Sequence, residues 1–331
     1  MMTVQCPESN SPTSNNPTSN VTYMKHTLLL LTVLAMLSAC EQPKSKSGKP
    51  LDTPTTGEIT IMADEGYRPI IESSIDVFDS IYKQAKINAL YVAEGEAVAA
   101  LLRDSVEVIV ITRLLDSAEM KYFASRGFKP KITPIAYDAL AFILHPANRD
   151  TVFTTAQMQN ILTGQSVKWT DINPKSPLGD IRLVFDHPLS GTVRYVKDSV
   201  IAGMTLSPNA SALKTNAEVI DYVSKNKNAL GIISANWISD TDDSGVQKFL
   251  KEIKIADIAP AAGKEGYGPY QAYLARNWYP YKRTVYVINA QARNGLGLGF
   301  ASYLAADGQR IVLKDGLLPA NAVTRLIEVT R

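Results

Sequence analysis

Residues 58–82 read EITIMADEGYRPIIESSIDVFDSIY, and this stretch decides the class of fold. Glu58 to Asp64 alternates as a strand does, Glu65-Gly66-Tyr67 is a turn, and Ile71, Ile75, Phe78 and Tyr82 recur at helical spacing behind Pro69. The pattern then repeats. Ile87 to Val92 is a second strand, Ala97 to Arg103 a short helix, and Val106 to Thr112 (VEVIVIT) has the nearly unbroken apolar run of a central parallel strand. The order βαβαβ predicts an α/β domain built on a parallel sheet.

Working outward, Asp116 to Arg126 is a further helix, and Ile132 to His145 (ITPIAYDALAFILH) is extended chain long enough to leave one lobe and enter another. Beyond it come a helix at Thr154 to Leu162, a loop at Gly164 to Pro177 and a strand at Ile181 to Phe185. Val193, Val196, Val200 and Ile201 keep helical spacing, Asn216 to Lys225 is a helix and Leu230 to Ile233 a buried strand. Asp240 to Ser244 is a polar turn, with a strand near Ile253 to Ile255. Val285 to Ile288, a helix from Leu296 to Ala306 and an extended piece from Thr324 to Val329 close the chain. No repeat is present, and 331 residues call for two lobes rather than one small core.

The ends of the composition exclude several classes. Lys plus Arg number 34 against 32 Asp plus Glu, a net charge of +2, so there is no basic field of the kind non-specific nucleic-acid binding needs. Two cysteines and three histidines leave too few soft ligands for a zinc or iron–sulfur site, so neither a metal nor another cofactor is expected. Residues 1–23 are rich in Ser, Thr, Asn and Pro, which makes Met24 the expected start. Leu28 to Leu37 (LLLLTVLAML) then has the length of a signal-peptide core and falls short of a membrane span. It runs into Leu37-Ser38-Ala39-Cys40, which resembles a bacterial lipobox, with Cys40 the lipidated residue. Residues 1–40 are then leader and signal peptide, and 41–57, rich in Lys, Ser, Thr and Pro, a flexible tether.

Several side chains could carry chemistry. Ser190-Gly191-Thr192 lies between a strand and a helix, where unpaired N–H groups, two hydroxyls and a glycine suit a tetrahedral oxyanion; the same residues also suit a simple N-cap. Arg194, one turn on, is expected to support the helix from its outer face. Thr112-Arg113 and Asp64-Glu65-Gly66-Tyr67 follow the carboxyl ends of strands, where open α/β sheets place ligands, although a solvated arginine and a plain turn account for them equally. Glu94 and Glu96 flank Gly95 and could act as an acid and a base, or simply charge a turn. His145 and His187 each precede a proline and have no neighbours at ligand spacing. Ser190 lacks the Gly-x-Ser-x-Gly elbow of a hydrolase. The tryptophans and tyrosines at Trp169, Trp237, Tyr267, Tyr270, Trp278, Tyr279 and Tyr281 could stack on a ligand or pack lobes and hinges.

TGQSVKWTDINP (163–174), DHPLSGTVRYVKDSV (186–200), ALGIISANWI (229–238) and YPYKRTVYVIN (279–289), in that order behind a lipobox and a βαβαβ start, resemble the PstS-type phosphate-binding proteins of ABC importers. The resemblance implies a type II periplasmic binding protein fold: two α/β lobes joined by two hinge crossings, with one ligand between them and no chemistry performed. Lobe I would comprise 58–138 and 268–331 and lobe II 139–267, with crossings near Tyr137 and near Pro269 to Gln271. The family's anion loop falls on Ser190, Gly191 and Thr192, and its strand-end hydroxyl on Thr112. Gly66 and Tyr67 stand in its first turn. Two charges look exchanged: Arg113 stands where the family has an aspartate, and Asp186 where it has an arginine. The implied function is capture of a small oxyanion, phosphate, for an ABC permease by a lipoprotein of the cell envelope, facing the periplasm or the exterior. The alternatives are the same fold with an altered or lost ligand, acting as a sensor or surface protein, and, less favoured, a hydrolase using Ser190 or the Glu94 and Glu96 pair. On this reading Arg113 and Asp186 face one ligand position. Cys40→Ser should free the protein from membranes or leave it unprocessed, as fractionation and intact mass would read; unchanged retention and mass would remove the lipobox.

Overall fold

The computed structural model describes residues 51–321. Cys40, most of the expected tether and the extended piece expected at Thr324 to Val329 lie outside the described residues. The strands are β1 (Gly57–Asp64), β2 (Ala85–Val92), β3 (Val108–Ile111), β4 (Lys131–Leu144), β5 (Val152–Thr154), β6 (Arg182–Phe185), β7 (Ala210–Ala212), β8 (Ala229–Ser234), β9 (Lys254–Ile255), β10 (Asp257–Ala259), β11 (Lys282–Asn289) and β12 (Leu318–Pro319). They join in the order β2-β1-β3-β11-β4-β8-β6-β7, with β9 and β12 also on β4, while β5 and β10 pair separately.

The opening reads as expected. β1 and β2 run parallel from Gly57 opposite Ala85 to Asp64 opposite Val92, and β3 lies parallel on the other side of β1. Helix Arg68–Ile81 connects β1 to β2, with Pro69 in its first turn where no intrahelical N–H bond is lost. β3 is apolar throughout because both its faces are covered. Val108 and Val110 join a core with Ile61, Phe78 and Phe300, while Ile109 and Ile111 join another with Leu101 and Phe123, as strand alternation requires. Its second neighbour, β11, is antiparallel, so this half of the sheet is mixed.

β4 links the two halves. At fourteen residues it extends roughly 45 Å at the usual rise per residue. Residues 131–139 pair with β11, and Leu140 to Leu144 pair with β8. Around the second half gathers the largest core, including Phe142, Phe153, Trp169 and Phe185. Leu274, Tyr279 and Tyr281 belong to that core as well, and Val285 and Val287 of β11 to the first. The chain thus returns between the halves at Tyr281–Lys282, and the short helix Gln271–Ala275 precedes that return. Tyr281 O accepts a hydrogen bond from Leu140 N at 3.0 Å, which places the two crossings side by side.

Three local features differ from the sequence reading. The stretch Gly164 to Pro177 contains the helical turn Trp169–Ile172, pinned by the buried Trp169 ring. Residues 244–252 form a helix whose N-cap is Asp243, directly after the polar turn. Asp52, inside the expected tether, accepts Leu296 N at 2.7 Å and pairs with Arg293, so the chain is joined to helix Leu296–Ala305 before β1 begins.

Gly231 in β8 lets helix Asn216–Lys225 rest against the sheet, since a Cβ there would lie 2.7 to 2.9 Å from Val223, Ile143 and Val219. Gly231→Ala should therefore cost about 1–3 kcal/mol through overpacking, measured by denaturant unfolding.

Candidate functional site

Both halves send the carboxyl ends of their strands into one cleft. Asp64 ends β1, Thr112 follows β3, Asp186 follows β6 and Ser234 ends β8. Ser190 caps the helical turn Gly191–Tyr195, which continues as a π-helical turn through Val200; its Oγ accepts Val193 N at 3.2 Å and donates to Asp186 Oδ1 at 2.5 Å. Gly191 N donates across the cleft to Asp64 Oδ2 at 2.7 Å, and Gly66 N donates to the other Asp64 oxygen at 3.0 Å. Thr192 Oγ1 lies 3.5 Å from Arg283 Nη1.

The floor is an ion pair that the sequence reading missed. Asp138 of β4 and Arg283 of β11 are register partners, fully or almost fully buried, with Arg283 Nε and Nη2 donating to Asp138 Oδ2 at 3.0 and 2.9 Å. The same oxygen accepts Tyr67 OH and Ser234 Oγ, each at 2.9 Å. Burial works against the Arg283 charge, but Tyr67, Asp138 and Asp64 beside it hold its pKa above the ordinary value. A signal for both residues was present. Arg283 alternates in phase with Val285 and Val287, and Asp138 is the lone charge in an apolar run.

A second cluster closes the side wall. Thr112 N and Oγ1 donate to Glu94 Oε2 at 2.8 and 2.7 Å, and Arg194 Nε pairs with Glu94 Oε1. Arg194 Nη2 also donates to Thr112 Oγ1 at 3.0 Å and to Thr112 O at 3.2 Å. Arg194 therefore reaches across the cleft rather than buttressing its helix from outside. Burial pushes the Glu94 carboxyl up, but the Arg194 guanidinium and the Thr112 donors bring it below the usual glutamate value. Glu94 and Glu96 do not act as a pair, since Glu96 turns back to accept Ala93 N at 3.1 Å.

The expected convergence of Arg113 and Asp186 is not made. Arg113 is held by Glu119, with bonds of 2.7 and 2.6 Å from its two terminal nitrogens, and reaches Glu94 only at 4.0 Å. The fork geometry of a guanidinium is better satisfied by that nearby carboxylate, at the start of the next helix, than by reaching over the cleft. Asp186 instead bonds Ser190 and lies 3.4 Å from Asn216 Nδ2. The buried arginine is Arg283. Thr112, Ser190, Gly191, Thr192, Asp186, Gly66 and Tyr67 are brought together; Gly66 O accepts Asn236 Nδ2 at 3.2 Å.

Five carboxylates are buried here (Asp64, Glu65, Glu94, Asp138 and Asp186) with Arg283 the only buried cation among them. Burial, with Asp186 and Glu94 nearby, pushes Asp64 up to about 7 despite Arg283 and Gly191 N. Burial likewise raises Asp186 to about 6, against the Ser190 bond. Glu65 is raised by burial and receives Asn216 N and Nδ2 at 3.1 and 2.6 Å. A cavity of about 160 Å³ opens beside Asp64, Asp186 and Ser190, with Arg68 and Lys214 on its wall. A larger one, about 340 Å³, shares only Arg68 with it and lies by Trp237 and Asp315. Among the described residues no group of His, Cys, Asp and Glu is placed to hold a metal ion.

Residues 49–308 match the PBP superfamily domain, and the chain belongs to that family. It is 23% identical over 286 residues to the phosphate-binding protein PstS of Pseudomonas aeruginosa, covering 81% of this chain and 84% of that one. The PstS of Staphylococcus saprophyticus is 23% identical over 251 residues, 75% and 73% of the two chains. Among solved structures, a Clostridium perfringens protein with bound phosphate superposes with a TM-score of 0.67 at 20% identity, over 80% of this chain and all of that one. An ABC-type phosphate transport receptor from Vibrio cholerae gives 0.60 at 19%, over 80% of this chain and 100% of that chain. The fold is that of a type II periplasmic binding protein.

Arg194→Met would leave buried Glu94 with only the Thr112 donors and Arg113 at 4.0 Å and should cost about 1–3 kcal/mol near neutral pH. Because the folded Glu94 pKa lies below the unfolded one, the pair's contribution is complete above the usual 4.5 and is lost as pH falls through the folded value. The variant's deficit, followed by thermal melts across pH, should shrink in that direction.

Proposed function

We propose that this chain is the extracytoplasmic substrate-binding protein of an ABC importer, anchored through Cys40, and that it captures a small oxyanion, phosphate, between two lobes. The lobes are 58–138 with the part from 282 on, and 139–281; the expected crossing near Pro269 to Gln271 moves to Tyr281–Lys282 because Leu274, Tyr279 and Tyr281 pack in the second core. The observation that carries the reading is the loop Ser190-Gly191-Thr192, whose central N–H points across the cleft at an anionic oxygen while Thr112 and Arg283 stand on the facing strands. The kinship with proteins named for phosphate binding supports the choice of ligand. Thr112, Ser190, Gly191, Thr192 and Arg283 supply donors, Asp186 positions Ser190, and Gly66 and Tyr67 shape the first turn. Closure of two lobes over the ligand would present the liganded form to a permease.

The cluster of buried carboxylates favours a second reading, the same fold with an altered ligand. A hydrolase is less favoured. The Ser190 hydroxyl donates to Asp186, and His187 Nδ1 accepts Leu189 N at 3.2 Å instead of serving Ser190 as a base.

Titration calorimetry with phosphate should show one site per chain, and Ser190→Ala should weaken binding about tenfold or more, the loss of a charge-assisted hydrogen bond. Equal affinity in Ser190→Ala would overturn the assignment of the loop.

A further inference from the structure

The N–H at the centre of the anion loop already has an anionic partner. Gly191 N donates to Asp64 Oδ2 at 2.7 Å, and Gly66 N holds the other oxygen of the same carboxylate at 3.0 Å. The space around Gly191 is filled by oxygens of the facing wall: a Cβ there would lie 2.6 Å from Thr112 Oγ1 and 2.9 Å from both Asp64 Oδ2 and Glu94 Oε2. Thr112 Oγ1, the second donor of the proposed site, is likewise committed to Glu94 at 2.7 Å.

We propose that Asp64 is the residue that gates oxyanion binding in this cleft: its carboxylate holds the place on Gly191 N that a ligand oxygen needs, so an oxyanion binds by displacing it. The inference rests on the cleft being an oxyanion receptor. Two consequences follow from charge. A carboxylate competes directly for the donor, and it also repels any anion that approaches.

The groups facing Asp64 set the pH at which this competition fades. Glu65 and Tyr67 lie on its own turn, Glu94 comes from helix Glu94–Leu102, Asp186 from the end of β6 and Arg283 from β11, while Arg68, Tyr91, Glu96, His187 and Lys214 line the same cavity. Burial and the Asp186 and Glu94 carboxylates outweigh Arg283, and Asp64 takes up a proton as pH falls through about 7. The protonated acid is a weaker partner for Gly191 N and carries no charge against the ligand.

The test is phosphate titration of the full chain, Asp64→Asn and Asp64→Ser, with sulfate in parallel because its charge is constant over the range. Near pH 8 both variants should bind at least about tenfold more tightly than the unsubstituted protein, and near pH 5.5 the advantage should fall toward nothing. Variants that bind equally or more weakly near pH 8, or keep the same advantage at both pH values, overturn the role of Asp64. If the unsubstituted protein binds phosphate and both variants lose it, the receptor reading stands and Asp64 is a ligand contact instead. No binding of either anion by any of the three proteins overturns the receptor reading and this inference together.

Discussion

One carboxylate oxygen, Asp138 Oδ2, ties the two halves of the molecule together. It accepts Arg283 from the neighbouring crossing strand, Tyr67 from the turn after β1 and Ser234 from the end of β8. A charge with no solvent exposure is tolerated only when it is paired and hydrogen-bonded, so the position of Asp138 on β4 dictates where these three groups must go. Tyr67 fixes the turn that carries Asp64, Glu65 and Gly66. Ser234 and the Asn236 amide fix the opposing wall, since Ser234 N also donates to Asn216 Oδ1 at 3.0 Å and Asn236 Nδ2 donates to Gly66 O.

Above that pair two buried carboxylates behave in opposite ways. Glu94 is as buried as Asp64 but is held below its usual pKa, because burial is outweighed by a guanidinium and two Thr112 donors. Asp64 has one N–H from each half and only a shared arginine, and it faces two other carboxylates. Ionisation in this cleft is therefore set by who faces whom across it. Cross-cleft bonds from Asn216 N to Glu65 Oε2, from Gly95 N to Leu189 O at 3.0 Å and from Trp237 Nε1 to Glu65 O at 3.3 Å line up beside these charges and hold them at fixed separations.

Much of the architecture was legible because periodicity and caps are local. Asn216 to Lys225 begins after a Thr215 cap, VEVIVIT is doubly covered, and ITPIAYDALAFILH is one long strand shared by two halves. The helix at 244–252 is equally local, with Val246, Phe249 and Leu250 at helical spacing, but its Asp243 cap lies inside a run that reads as a polar turn. Of the residues brought together in the cleft, Ser190, Gly191, Thr192 and Thr112 are legible from strand ends and a helix start. Arg113 stands next to Thr112 in sequence and so is the arginine that local reading finds, whereas Arg283 reaches the cleft only when β11 is laid beside β4.

The sequence by itself determined the α/β class, the order of elements, the doubly covered central strand and the helix start at Ser190, all of which depend on side-chain type and short-range spacing. Only the tertiary structure decided the pairing of charges. Asp64 and Gly191 are 127 residues apart, Glu94 and Arg194 are 100 apart, and Asp138 and Arg283 are 145 apart. Which arginine meets which carboxylate, and hence which acid keeps its proton, is fixed by strand register and by the approach of the two halves, since charge interactions in a buried cleft depend on distance and desolvation rather than on position along the chain.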